Sequence, residues 1–226
     1  MSEIDMNYII LVADCLHVVA ILPLLANMKF NKTLGISQNT LLLFAMAFGA
    51  RFFDIFLGSC MHANVYLITT FIAGSYAFMA IFFFFFSTTD DRKTDRFSFV
   101  RILVPSTLCG ILLNHVTLGN HGIVSWDQLE PCELTWATSI YMEAAAIVPQ
   151  YQMIKTIQEG RPVRRYVIFL ILYRILYTVD GIYRYYFEDH TDPISFFCGL
   201  VEIAVLLKTF LTIRHMAALK KPRLTV

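Results

Sequence analysis

Seven long apolar stretches constrain the fold of this chain more than any other feature. A helix needs about 20 mostly apolar residues to cross the roughly 30 Å of hydrocarbon in a bilayer. The stretches cover residues 8–28, 41–58, 65–86, 102–118, 134–154, 166–183 and 194–213. Only 15% of the residues are charged, against about 25% in a typical soluble domain. The sequence therefore predicts an all-α polytopic membrane protein with seven transmembrane helices and no separate soluble domain.

The distribution of Lys and Arg predicts how these spans are oriented. Cytosolic loops of membrane proteins carry an excess of basic residues. Fourteen of the 18 basic residues lie in or beside the segments that follow spans 1, 3, 5 and 7. We therefore expect a lumenal or exterior N-terminus and a cytosolic C-terminus. The net charge of +1 gives no sign of the strong positive charge that is typical of nucleic-acid-binding proteins.

Two of the five cysteines, Cys60 and Cys132, fall near the predicted lumenal face. An oxidising compartment could pair them. Two cysteines on one face of a polytopic protein are more often unpaired, so a disulfide remains one of two alternatives.

An internal repeat is indicated by matching proline and polar positions. Ala20-Ile21-Leu22-Pro23 matches Ala146-Ile147-Val148-Pro149, and Arg51 matches Arg174 at nearly the same displacement. Residues 8–86 and 134–213 are then two parallel three-helix repeats joined by the linker helix 102–118, the sugar-transporter-like arrangement, and 214–226 form a cytosolic tail. Equivalent kinks at Pro23 and Pro149 would open a central cavity. Chance matching of apolar helices is the alternative.

Ionisable residues within the predicted spans are candidates for function, because each costs at least about 2.5 kcal/mol at the bilayer centre. His17, Arg51, Glu143 and Arg174 are predicted near the midplane. Several further polar side chains are predicted toward the lumen, namely Asp54, Glu133, Trp136, Asp180 and Arg184. We expect a water-filled pocket that opens to the lumen. Internal pairing, such as Arg51 with Asp54 and Arg174 with Glu143, is the alternative for any single residue.

The residue types in this predicted pocket indicate a class of ligand. Three arginines, Arg51, Arg174 and Arg184, are suited to bidentate contacts with carboxylates. The carboxylates of Asp54 and Glu133, beside the Trp136 indole, suit a cation. The expected ligand carries carboxylates at one end and an ammonium or guanidinium group at the other.

Several motifs along the chain resemble those of one known family. They are Gly35-Ile36-Ser37, Arg51-Phe52-Phe53-Asp54, the segment Glu133 to Glu143, Pro149-Gln150, the segment Leu172 to Tyr177 and the segment Arg184 to Glu188. Together they resemble the KDEL receptors, the ER lumen protein-retaining receptors. This resemblance implies a multi-pass receptor of the ER and cis-Golgi membranes that binds C-terminal Lys/His-Asp-Glu-Leu signals in the acidic Golgi. Such a receptor returns its cargo in coatomer-coated vesicles and releases it at neutral pH.

The resemblance also implies roles for individual residues of the predicted pocket. Arg51 would hold the terminal carboxylate of the signal, and Arg184 an acidic side chain. Other residues would receive the basic residue of the signal or line the pocket, namely Asp54, Glu133, Trp136, Tyr173, Arg174 and Tyr177.

A pH switch and a trafficking tail are implied in the same way. His17 matches the family's pH-sensing histidine, and Glu143 a carboxylate that hydrogen-bonds the tyrosine matching Tyr173. Because the ordinary pKa of histidine is near 6.5, binding of an anionic ligand is expected in acid and lost as the pH rises. A neutral hydrogen-bonding bridge is the alternative role for His17. Lys220 and Lys221 are candidate coatomer contacts, although a basic tail also anchors topology.

The chain departs from the family pattern at several positions. The family's arginine early in span 1 falls on Ile10, its span 6 tryptophan on Gly181, and its span 7 aspartate on Lys208. In addition, Asp180 replaces an asparagine and Phe52 a tyrosine. These departures bear on which signal is preferred and on return transport.

A PQ-loop or sugar-exporter type transporter is the alternative function. The repeat and Pro149-Gln150 favour it, whereas the lumenal bias of the polar residues does not, because a transported solute must be reached from both faces. We expect no enzyme, metal or cofactor, since the sequence contains neither a metal-ligand cluster nor an activated nucleophile arrangement.

Overall fold

The computed structural model describes residues 3–29, 36–51, 63–86, 93, 95–113, 131–157, 161–187 and 192–219. Within these ranges the chain forms eight helices and no strand. The helices are α1 (Glu3–Lys29), α2 (Gln38–Arg51), α3 (Ala63–Phe86), α4 (Val100–Leu113), α5 (Pro131–Ala145), α6 (Val148–Ile157), α7 (Arg161–Phe187) and α8 (Pro193–Leu219). The all-α prediction is confirmed.

Three helical stretches of the described residues are long and apolar enough to cross a membrane. They are Tyr8–Ala26, Val163–Phe187 and Pro193–Leu219. The stretches Thr70–Phe82 and Val100–Leu113 are apolar but shorter. Some helices extend beyond the predicted spans, because an apolar run marks only the part of a helix that lies in hydrocarbon.

The surface of the bundle is apolar, and several charged side chains are buried inside it. Phe85 is 70% exposed, and apolar side chains such as Leu108 and Leu207 also point outward. His17 and Glu143, by contrast, are fully buried. An apolar surface around a largely apolar core with a few buried charges is an arrangement that lipid stabilises, since the outer side chains need no hydration and the buried charges need partners.

The two halves of the described bundle have the same pattern of helix packing. In the first half α3 packs against both α1 and α2, and in the second half α8 packs against both α5 and α7. Between the halves, α1 packs against α7 and α2 packs against α5. Two related three-helix units facing each other would produce this pattern. It supports the duplication, which remains a proposal.

The helix that begins at Pro131 is interrupted before Pro149, so the predicted fifth span consists of α5 and α6. The Gln150 N–H donates to Thr40 Oγ1 at 2.9 Å instead of continuing the helical ladder, and Gln150 Oε1 accepts from the Ser37 N–H at 2.8 Å. Pro23 differs, because α1 continues past it to Lys29. The two prolines are therefore not equivalent, contrary to the predicted symmetric kinks.

The start of α2 is held by side chains from two other segments. Ser37 Oγ accepts from the Thr40 N–H at 3.2 Å, which is a typical N-cap contact, and donates to Asp95 at 2.9 Å. Asp95 also accepts from the Asn39 N–H at 3.2 Å, so that its carboxylate lies at the positive end of the helix dipole. These bonds fix the helix that carries Arg51 at its far end.

Gly110 allows α4 to approach α5 closely. A Cβ at this position would overlap Thr138 Oγ1 and lie 3.0 Å from the Thr138 backbone N and Cα. Overpacking of this kind typically costs 1–3 kcal/mol, so we expect Gly110→Ala to lower the melting temperature in detergent by about 3–8 °C. Gly74→Ala is the matched control, since a Cβ there meets nothing within 4 Å. Equal melting temperatures for the two variants would contradict a close α4–α5 contact.

Candidate functional site

A buried cluster of charged and aromatic side chains lies between the two halves of the bundle. We call it the polar core. It comprises Asp14, His17, Arg51, Glu143, Tyr173, Arg174, Tyr177 and Glu202. The helices α1, α2, α5, α7 and α8 each contribute at least one of these residues.

Glu143 is the most highly bonded carboxylate of the polar core. Its Oε2 lies 2.5 Å from Arg51 Nη2, and its Oε1 accepts from the Tyr173 hydroxyl at 2.7 Å. The Arg51 Nε donates to Ser139 Oγ at 3.2 Å. The hydrogen bond between Tyr173 and Glu143 that the resemblance implies is thus present. The side chain of Arg51 is 19% exposed and that of Glu143 is buried, so Arg51 is the approachable member of the pair.

Arg174 lies between two carboxylates. Its Nε is 2.9 Å from Glu202 Oε2, and its Nη1 is 3.9 Å from Glu143 Oε2. Gly199 on α8 leaves the space for this arrangement, because a Cβ there would lie 3.2 Å from the Arg174 Nε and Nη2. Glu202 is buried, and within the described residues its Oε1 has no hydrogen-bond partner.

His17 is enclosed by aromatic side chains. Its Nε2 lies 2.9 Å from the Tyr76 hydroxyl, which in turn lies 2.9 Å from the Tyr166 hydroxyl. The ring centroid of Tyr173 is 4.4 Å from that of His17, and the centroid of Phe48 is 4.9 Å away. The His17 Nδ1 is buried and has no hydrogen-bond partner among the described residues. A neutral imidazole has one nitrogen that donates and one that accepts a hydrogen bond, whereas both nitrogens of the protonated ring donate.

Asp14 connects α1 to α7 at one side of the polar core. It accepts a hydrogen bond from the Tyr177 hydroxyl at 2.6 Å. The ring centroids of Tyr177 and Tyr173 are 5.0 Å apart. Through these two tyrosines Asp14 and Glu143 belong to one continuous set of contacts.

The described residues that were predicted toward the lumen make contacts of their own outside the polar core. Arg184 Nε donates to Asp180 Oδ2 at 3.0 Å, one turn away on α7, and the Arg184 side chain is 37% exposed. Trp136 packs against the small cluster formed by Ile140, Ala144 and Cys198, and Glu133 is exposed near the start of α5. Other predicted positions lie outside the described residues, namely Asp54, Cys60, the side chain of Cys132, Lys220 and Lys221.

All three predicted arginines are paired within the protein. Arg51 pairs with Glu143, Arg174 pairs more closely with Glu202 than with Glu143, and Arg184 pairs with Asp180. Arg51 is paired between helices, because a guanidinium in a buried site needs an acceptor even without ligand, whereas the Arg51–Asp54 pairing considered from the sequence involves a residue outside the described ranges. With Asp14 and a neutral His17, these described groups comprise four carboxylates and three guanidinium groups.

Sequence reasoning assigned no role to several residues that surround the predicted site. The sequence identifies Glu202 as an intramembrane charge by its insertion cost alone, but it does not indicate that Glu202 pairs with Arg174. Ser139, Tyr76 and Tyr166 carried no such signal, because serine and tyrosine are common in membrane helices and only the folded contacts show their hydroxyls near Arg51 or His17.

Comparison with known proteins gives a consistent result. The family model described as ER lumen protein retaining receptor matches residues 32–184. ER lumen protein-retaining receptor erd-2.2 of Caenorhabditis elegans and ER lumen protein-retaining receptor 2 of Gallus gallus are each 34% identical over 207 residues, covering 91% of this chain and 92% of the relative. ER lumen protein-retaining receptor 2 of Homo sapiens is 34% identical over 199 residues, covering 87% of this chain and 88% of that protein.

Proposed function

Since the chain belongs to the ER lumen protein retaining receptor family, we propose that it binds the C-terminal tetrapeptide of ER lumenal proteins and returns those proteins from the cis-Golgi to the ER. The family is one of receptors and not of enzymes. The observation that carries the proposal is that Arg51 is partly exposed beside the buried Glu143, because a guanidinium in this position can bind a second carboxylate. The comparisons do not favour the transporter alternative.

The first step of the proposed mechanism is capture of the terminal carboxylate by Arg51. A guanidinium has five N–H donors, and within the described residues the hydrogen bonds of Arg51 to Glu143 and Ser139 use Nη2 and Nε. The remaining donors can bind a carboxylate of the ligand while Glu143 stays in place. Arg51 then lies between two carboxylates.

The second step is uptake of a proton. Arg174 also lies 3.9 Å from Glu143, but Glu202 pairs with Arg174 more closely. Two carboxylates around Arg51 therefore leave a net negative charge, which a further cation nearby would stabilise. His17 is the titratable group in that position, because its ring packs against Tyr173 and the Tyr173 hydroxyl binds Glu143. Ligand binding is therefore coupled to protonation of His17. By linkage the affinity is highest in acid and falls as the pH rises.

Release at neutral pH follows from the same contacts. When His17 loses its proton, Arg51 can no longer hold two carboxylates without excess negative charge. Glu143 is part of the fold and remains bonded to Tyr173, so the ligand is the carboxylate that leaves. Glu143 thus acts as an internal competitor of the ligand for Arg51.

The transport step is proposed to use the cytosolic tail. The orientation expected from the basic residues places the N-terminus in the lumen and Lys220 and Lys221 in the cytosol, where the coatomer coat can reach them. We expect Lys220→Ser with Lys221→Ser to leave peptide binding intact and to reduce return of the receptor to the ER.

Ile10 is a position where the family's arginine is absent, and it lies one helical turn before Asp14. The substitution Ile10→Arg introduces this arginine and adds positive charge to the site, whose described groups include more carboxylates than guanidinium groups. We expect at least about a fivefold gain in affinity for a peptide ending in Lys-Asp-Glu-Leu, measured by fluorescence anisotropy in acid. Ile10→Gln, of similar length and without charge, is the control and should show no gain. Equal affinities for both variants would place position 10 away from the acidic part of the signal.

A retention assay in cells tests the proposed function. A secreted reporter ending in Lys-Asp-Glu-Leu is expressed in cells depleted of their own retention receptors, with and without this chain. We expect the chain to reduce secretion of this reporter and not of one extended by a glycine, whose carboxylate is displaced. Unchanged secretion despite correct delivery of the chain to the early secretory pathway would contradict the proposal.

A further inference from the structure

A basic groove lies on the outer surface of the bundle, and none of its described lining residues belongs to the polar core. It has a volume of about 590 Å³ and runs between α6 and α8. Lys155, Lys208 and His215 line it together with apolar side chains that include Leu207 and Leu211. None of its nine described lining residues is acidic.

The two lysines of this groove converge on one aromatic ring. Lys155 Nζ lies 4.6 Å from the centroid of the Tyr151 ring, and Lys208 Nζ lies 5.5 Å from it. The two ammonium groups are therefore at most about 10 Å apart, each in cation–π contact range. Neither forms an ion pair within the described part of the chain. Two unpaired like charges gathered at one place favour an anion between them.

The position of the groove indicates where this anion comes from. Leu207 and Leu211 are 44% and 59% exposed, so this face of α8 points toward lipid. Lys208 lies on the same exposed face, about 7.5 Å along the helix from the predicted end of the span at residue 213. A lysine at this depth extends its ammonium toward the interface, where the glycerol-linked phosphates of lipids lie.

We propose that the groove binds one anionic phospholipid of the cytosolic leaflet. The lipid phosphate lies between Lys155 and Lys208, and an acyl chain lies along Leu207 and Leu211. The leaflet follows from the orientation that the basic loops predict. The chain's own tail is not complementary, because residues 220–226 carry three basic side chains and no acidic one.

Native mass spectrometry of the purified full chain tests this site. The protein is held in micelles that contain equal amounts of phosphatidic acid and phosphatidylcholine of different mass. We expect phosphatidic acid to be retained over phosphatidylcholine, and Lys155→Gln with Lys208→Gln to reduce that retention at least about fivefold. The matched control is Lys93→Gln with Arg101→Gln, which removes two exposed charges outside the groove and should leave retention unchanged.

Two further measurements make the outcome decisive. The melting temperature of each variant shows whether it is folded, independently of peptide binding and hence of the proposed function. Glycerol 3-phosphate, which has the phosphate without the acyl chains, should not displace the lipid at equal concentration. Unchanged retention in the folded groove variant, equal retention of the two lipids, or displacement by glycerol 3-phosphate would each overturn the proposal.

Discussion

Arg51→Ala is expected to lower the affinity for a peptide ending in Lys-Asp-Glu-Leu by about 100-fold or more, the largest effect of any single substitution in the polar core. Loss of one partner of a buried charged contact commonly costs 2–5 kcal/mol, which corresponds to about 30-fold to several thousand-fold in affinity. This variant lacks the Arg51 guanidinium, which is the cation closest to Glu143 and the proposed partner of the ligand carboxylate. Isothermal titration calorimetry in acid measures the loss.

The effect of this substitution on folding must be separated from its effect on binding. Arg51→Lys retains the charge and loses the planar fork, so we expect a folded protein with an intermediate loss of about tenfold. Arg101→Gln removes an exposed guanidinium outside the polar core and should bind like the parent. Undiminished binding by folded Arg51→Ala would show that the terminal carboxylate is held elsewhere.

His17→Gln is expected to remove most of the acid dependence of binding. Uptake of one proton with the ligand changes affinity by at most tenfold per pH unit, which gives up to about 50-fold between about pH 5.5 and about pH 7.2. In the variant this ratio should fall below about threefold, because glutamine can replace the hydrogen bond to Tyr76 but cannot take up a proton. Fluorescence anisotropy across this pH range measures the ratio.

Tyr76→Phe is the control for the pH switch. It removes the hydroxyl that lies 2.9 Å from His17 Nε2 and keeps both the aromatic ring and the histidine. We expect this variant to be less stable and to keep its acid dependence. If His17→Gln bound with the parent's pH profile, the proton would be taken up by another group, and the switch assigned to His17 would be wrong.

Much of the fold follows from local patterns in the sequence. An apolar run of about 20 residues predicts a helix wherever it occurs, and the described parts of the seven runs are helical except for a break at residues 146–147. The helix break before Pro149 is harder to predict from the sequence. A proline predicts a kink, but whether the helix is interrupted depends on alternative partners for the freed backbone groups. Gln150 has these partners in Thr40 and Ser37, whereas α1 continues through Pro23.

The sequence predicts which residues belong to the candidate site better than it predicts which of these residues pair with each other. Insertion cost identifies which charges matter, and it selected His17, Arg51, Glu143 and Arg174, all of which lie in the polar core. Which charges pair is decided by contacts between helices that are distant in sequence, such as Arg51 with Glu143. No pattern along the chain encodes those distances. For the same reason Glu202 was recognised as an intramembrane charge and not as the partner of Arg174.

The internal pairing changes what ligand binding requires. A site with free arginines would bind any anion at any pH, whereas here each described arginine of the site already has a carboxylate partner. In the proposed mechanism the ligand therefore shares a cation with the protein. We expect this sharing to require the proton on His17 and to allow release at neutral pH.

Binding of a fluorescent peptide ending in Lys-Asp-Glu-Leu to the purified protein, as the free acid and as the C-terminal amide, tests the shared-cation mechanism most directly. We expect tight binding of the free acid near pH 5.5, at least about tenfold weaker binding near pH 7.2, and little binding of the amide at either pH. Equal binding of acid and amide, or equal binding of the acid at both pH values, would contradict capture of a terminal carboxylate by Arg51 coupled to a proton on His17.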